Sequence, residues 1–162
     1  MSRVVIVGGG VIGLTTAWHC ARRGHEVTVV DRLPAKRDGC SFGNAGMVVP
    51  SHFVPLAAPG AVSMALKWML KPESPFYLEP RLDWDLATWC WRFFRSATME
   101  HVEEVGPRLA DLHLRSRAGF QAMAEAGLEF GLRERGLWML CKTERVLEEE
   151  AKVAERACEL GM

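Results

Sequence analysis

The chain has 162 residues, enough for a domain with a core of its own, and its 20 lysines and arginines balance its 20 aspartates and glutamates. That balance excludes a general electrostatic attraction to nucleic acid. Five cysteines (Cys20, Cys40, Cys90, Cys141, Cys158) are scattered without a C-x-x-C spacing, so no metal site or disulfide framework is expected and reduced thiols in a cytoplasmic protein are.

The first element predicted is a strand at Arg3-Val4-Val5-Ile6-Val7, a run of β-branched residues of the kind buried on both faces of a parallel sheet. It runs into Gly8-Gly9-Gly10-Val11-Ile12-Gly13, a G-x-G-x-x-G. A helix is expected from Leu14 to Arg23, with Leu14, Ala17, Trp18 and Ala21 at helical spacing and Gly24 as a left-handed cap. A second strand, Glu26-Val27-Thr28-Val29-Val30, ends on Asp31-Arg32. Strand, glycine turn, helix, strand and acid in this order form the context in which the motif binds a dinucleotide. Gly8 provides the tight turn, Gly10 clears the way for a pyrophosphate, and Gly13 lets the helix lie close to the sheet. The free N–H groups of the helix N-terminus then face the phosphates. Asp31 can accept both hydroxyls of an unphosphorylated ribose, which favours FAD or NAD over NADP, with Arg32 beside it as the residue that weakens this preference.

A polar loop from Leu33 to Gly39 is followed by Cys40-Ser41-Phe42-Gly43-Asn44-Ala45-Gly46-Met47. Small residues here let backbone approach a flat ligand, and Ser41 and Asn44 offer hydrogen bonds; an ordinary flexible loop is the competing reading. A proline-punctuated crossing to Gly60 contains His52, which fits a catalytic base but is more often structural in such a setting. Ala61 to Lys71 reads as a helix stopped by Pro72, and 73–81 as a loop. Asp83 or Asp85 caps the next helix, which runs to about Ala97. Its Trp84, Trp89, Trp91, Phe93 and Phe94 suit either core packing or a docking face, and core packing is preferred because only Arg92 and Arg95 are basic. A long helix is expected from Pro107 to Ala126, with Leu109, Leu112, Ala118 and Met123 on its apolar side. Gly136 to Cys141 reads as a strand, and Thr143 caps a charged helix from Glu144 to Leu160, with Gly161 past its end.

Two stretches together resemble the start of the FAD-dependent D-amino-acid oxidase family, in its bacterial D-amino-acid dehydrogenase branch. They are Val4 through Arg32 and Ser41-Phe42-Gly43-Asn44-Ala45-Gly46-Met47. The resemblance implies FAD as cofactor, with Gly8, Gly10, Val11, Ile12 and Gly13 at the pyrophosphate and Asp31 and Arg32 at the adenosine end. Ser41, Asn44, Ala45, Gly46 and Met47 match the segment that runs along the pyrophosphate and flavin. It further implies hydride transfer from an amino-acid substrate to the flavin, and electrons passed to a quinone or another membrane-associated acceptor. Catalytic residues are not assigned by it, and no metal is implied.

The expected fold is therefore α/β, a Rossmann-like FAD-binding βαβ unit followed by the opening of an α+β substrate domain. The boundary is placed between 1–50 and 51–162, the second part mostly helical and incomplete, since members of the family run to roughly twice this length or more. With no charged-then-apolar leader and no run of about eighteen apolar residues, neither a secretory signal nor a membrane span is expected. A cytoplasmic protein, at most peripheral at the inner face of the membrane, follows. An NAD-linked dehydrogenase and a non-catalytic remnant that binds nucleotide are the alternatives.

Overall fold

The computed structural model describes residues 1–33, 39–69, 79, 81 and 83–162. The charged loop at Lys36-Arg37-Asp38, the helix stop at Lys71-Pro72 and most of the 73–81 loop lie outside them. The chain divides into two compact units, Met1–Met47 and Val48–Met162.

The first unit is β1 (Arg3–Val7), α1 (Val11–Arg22) and β2 (Glu26–Val30). The strands pair in parallel, Arg3 opposite Glu26 through Val7 opposite Val30. The pairing continues one step further, where Gly8 N–H donates to Val30 C=O at 2.7 Å. Parallel strands cannot be joined by a tight turn, so α1 makes the crossover and packs on one face of the pair. Gly24 ends it with φ +80°, as the sequence predicts, and Gly24 N–H donates to Ala21 C=O at 2.9 Å. The expectation of a strand buried on both faces is corrected. Val4 and Ile6 are half-buried, whereas Val5 and Val7 are exposed, because within this unit α1 supplies cover for one face.

The second unit is helical: α2 (Ala61–Met69), α3 (Trp84–Ser96), α4 (Met99–Glu125) and α5 (Glu144–Glu159). Its core gathers Phe53, Ala110 and Ala157, with Leu109, Val153, Leu160 and Met162 packed around them. The caps of α3 and α5 are the predicted ones: Asp83 accepts from Asp85 N–H at 2.9 Å, and Thr143 from Val146 N–H at 3.4 Å.

Three expectations in this unit are corrected. α4 starts two turns before Pro107, because Thr98 caps it through His101 N–H at 3.2 Å and the proline is carried inside the helix. Pro107 costs of the order of 3 kcal/mol in an ordinary helix interior, of which the Thr98 cap offsets about 1 kcal/mol. Of the apolar side expected for α4, Met123 is buried and Leu109 packs against the core, whereas Leu112 and Ala118 are exposed, and Gly106 and Ala110, small residues beside the Phe53 ring, are buried instead. Residues 136–141 form no strand. Trp138 and Leu140 there are largely exposed, and no strand of the described residues pairs with them.

The aromatic residues of α3 are also more exposed than core packing requires. Trp84, Trp91 and Phe94 are over half exposed, and the rings instead stack along their own helix, Trp89 on Phe93 and Trp91 on Phe94. Among the described residues, no helix is long and apolar enough to cross a membrane.

Candidate cofactor site

The site forms where β1 ends and α1 begins. Gly8 takes φ +106°, a conformation that L side chains rarely adopt, so a glycine is required at this bend. The bend brings its carbonyl under α1. A Cβ placed on Gly13 would lie 1.9 Å from Gly8 O and 3.4 Å from Ile6 Cγ2, so the helix reaches the strand only because Gly13 has no side chain. Gly10 is the N-cap of α1 and has no side chain to cap it. The first amides of the helix are thereby left to partners from elsewhere.

Two side chains from distant positions reach the turn, and one of them reaches the first amide of the helix. Asp31, at the end of β2, accepts from Gly9 N–H through Oδ2 and from Leu33 N–H through Oδ1, the latter at 2.8 Å. Ser41 accepts from Val11 N–H through Oγ at 3.0 Å, and the same oxygen lies 3.1 Å from the place a Cβ on Gly10 would take. Thr15 and Thr16 return their hydroxyls to Val11 C=O and Ile12 C=O, at 2.8 and 2.7 Å.

Segment 39–47 folds on itself beside this turn. Phe42 N–H donates to Gly39 C=O at 2.8 Å, and Asn44 Oδ1 accepts from Gly46 N–H at 2.9 Å, with Gly46 at φ +66°. Of the predicted residues, Gly8, Gly10, Val11, Gly13, Asp31 and Ser41 are thus brought together. Ile12 is exposed on the first turn of α1, Arg32 is exposed at the end of β2, and Ala45 and Met47 are exposed in the segment. His52 is exposed in the second unit.

Sequence reasoning missed Gly9, whose amide is the partner of Asp31. It also read Ser41 as a ligand-facing hydroxyl and missed that it caps a helix thirty positions earlier. A backbone donor leaves no signature in residue type, and so no pattern could have found Gly9.

A parallel β–α–β crossover with a glycine bend, a helix whose own N-cap has no side chain and an acid at the end of the second strand is the arrangement of proteins that hold a dinucleotide by its pyrophosphate. The chain belongs to the FAD dependent oxidoreductase family, whose model matches residues 3–162. It is similar to the D-amino acid dehydrogenase of Granulibacter bethesdensis, 37% identical over 150 residues, which cover 92% of this chain and 36% of that protein. The D-amino acid dehydrogenase of Phenylobacterium zucineum is 35% identical over 161 residues, 99% of this chain and 38% of that protein. That of Vibrio cholerae is 35% identical over 148 residues, 91% of this chain and 35% of that protein. The chain therefore spans little more than a third of the length of the curated relatives it matches. No solved structure matches.

Proposed function

We propose that this chain holds the adenosine and pyrophosphate end of FAD for the oxidation of a D-amino acid. The observation that carries the reading is the close approach of Gly13, in α1, to the Gly8 carbonyl, which sets the start of the helix over the glycine bend with no N-cap side chain of its own in the way. Gly10 leaves room for a pyrophosphate, and the first amides of α1 offer it hydrogen bonds reinforced by the helix dipole. The Asp31 carboxylate, at the end of β2 beside the turn, is the acceptor proposed for the ribose hydroxyls. The segment from Ser41 to Met47, narrow and turned at Gly46, is the stretch assigned to the flavin side.

FAD, held by these residues, would supply a hydride acceptor for the α-hydrogen of the amino acid, whose imino product water would convert to a keto acid and ammonia. The role of this chain's residues is positional: they grip the nucleotide end, which sets where the reactive ring lies. The residues that grip the substrate are not among those assigned here, and a quinone or another membrane-associated acceptor takes the electrons.

The test places residues 1–162 in front of the remaining two thirds of the Granulibacter bethesdensis relative. D-alanine oxidation is then followed with an artificial electron acceptor. Bound flavin with turnover of D-alanine or D-proline is expected. Bound flavin with no oxidation of any D-amino acid would contradict the substrate class, and NAD in place of flavin would contradict the cofactor.

A further inference from the structure

Helix α3 has two unlike sides. Leu86, Cys90 and Phe93 are half-buried on one. On the other, Trp84, Ala87, Trp91 and Phe94 stand at i, i+3, i+7 and i+10, all exposed, and form one apolar stripe along the helix. This is the spacing of the seam between two paired helices. The rings of Trp91 and Phe94 already stack, 6.2 Å between centroids, so part of the stripe is ordered before any partner arrives. The charges beside the stripe are also ordered. Asp85 stands near the N-terminal end of α3, Arg92 and Arg95 near its C-terminal end, and all three are exposed on the same flank.

We propose that this stripe is a docking surface for a second copy of the chain, the two α3 helices packing antiparallel about a two-fold axis. An axis level with Trp89 sets Trp84 against Phe94 of the second copy and Ala87 against its Trp91, so the small residue receives a large ring. On the flank, Asp85 then lies beside Arg92 of the second copy, and the contact occurs twice. Parallel packing would instead set Asp85 on Asp85 and Arg92 on Arg92, which like charges disfavour. A lipid surface is a poorer occupant, because Asp85 shares the flank of the arginines and would face anionic headgroups. A buried aromatic side chain covers about 150–250 Å², so Trp84, Trp91 and Phe94, exposed by 85%, 60% and 59%, offer roughly 400 Å² per copy. The rings of a pair would then bury about 800 Å², short of the roughly 1,200 Å² of a stable complex, and the dimer is weak and reversible.

The experiment is sedimentation equilibrium of the whole chain under reducing conditions, alone and as Trp91→Ala, Asp85→Arg and Arg92→Asp. An equimolar mixture of the two charge variants is measured beside them. The unmodified chain is expected to be largely dimeric at about 100 μM and monomeric at about 1 μM. Trp91→Ala weakens the dimer about tenfold, and so does each charge variant by itself, since both flank contacts turn repulsive. In the mixture an Asp85→Arg copy meets an Arg92→Asp copy with opposite charges at both contacts, and dimerisation returns. A variant that had failed to fold could not be rescued by mixing, and far-UV circular dichroism checks the fold of each. A monomer at every concentration, a species larger than a dimer, or a mixture no better than its components would overturn the proposal. A chain that stays monomeric but sediments with vesicles of phosphatidylglycerol and phosphatidylcholine would assign the stripe to lipid and overturn it too. The fusion to the remaining two thirds of the Granulibacter bethesdensis relative is expected to dimerise with the same charge dependence. A monomeric fusion would assign the stripe to the added polypeptide and overturn the proposal.

Discussion

Replacing Gly13 by alanine is the sharpest perturbation of the glycine turn. The added Cβ would lie 1.9 Å from Gly8 O, at least about 1.1 Å inside the 3.0 Å limit that real Cβ contacts respect. The obstructing atom is main chain, so no rotamer change relieves it, and Gly8 is itself tied to β2 through Val30 C=O at 2.7 Å. Either α1 lifts from β1 by about an ångström or the Gly8–Val30 bond breaks. Overpacking of this kind costs about 1–3 kcal/mol, with a backbone clash at the upper end. Alanine returns about 1 kcal/mol of helix propensity, which leaves a net loss of about 2 kcal/mol. The displaced turn would also lose at least one charge-assisted hydrogen bond to the pyrophosphate, roughly tenfold or more in FAD affinity. Gly119→Ala in α4 is the control: a Cβ there meets nothing within 4 Å, so only the propensity gain of about 0.5–1 kcal/mol is expected. Urea unfolding followed by tryptophan fluorescence measures stability, and FAD titration measures the site. If Gly13→Ala gains stability like Gly119→Ala and binds FAD as before, the close approach of α1 to β1 is wrong.

Two further substitutions probe the acid and the helical core. Asp31→Ala removes the acceptor of Gly9 and Leu33 N–H together with the proposed ribose contact. About 1–3 kcal/mol of FAD binding should be lost, and titration showing unchanged affinity would remove Asp31 from the site. Phe53→Ala empties the centre of the second unit, where the ring is 4% exposed and packs over Gly106. A loss of about 3–5 kcal/mol is expected in urea unfolding, and a loss below about 1 kcal/mol would show that Phe53 is not central to that core.

The parts of the structure legible in the sequence are those set by neighbouring residues. The β-branched runs of β1 and β2, the glycines at 8, 13 and 24, and the capping threonine at 143 each act within a few positions of themselves, and the elements appear where they were expected. The misplacements have a different origin. Pro107 has the local mark of a helix start, yet Thr98 upstream provides a cap that extends the helix through it. Leu112 looks like a core residue by spacing, but what meets Phe53 is the smallness of Gly106 and Ala110, a matter of fit and not of hydrophobicity. Residues 136–141 have strand composition, and composition alone gives a strand nothing to pair with. In the candidate site the same division holds. The glycine spacing and the acid could be read directly, whereas the Ser41 cap spans thirty positions and the Gly9 amide has no side chain to read.

The central claim is that the glycine turn between β1 and α1 seats the pyrophosphate of FAD. The most direct test is the visible absorbance of the purified chain and of Gly10→Val, each saturated with FAD and then desalted. A side chain at position 10 points at Ser41 Oγ, 3.1 Å from the first added carbon, and fills the space over the turn. The account predicts a yellow unmodified chain with a flavin spectrum and a colourless Gly10→Val variant with the same far-UV circular dichroism. A colourless unmodified chain, or a Gly10→Val variant that retains flavin, would contradict it.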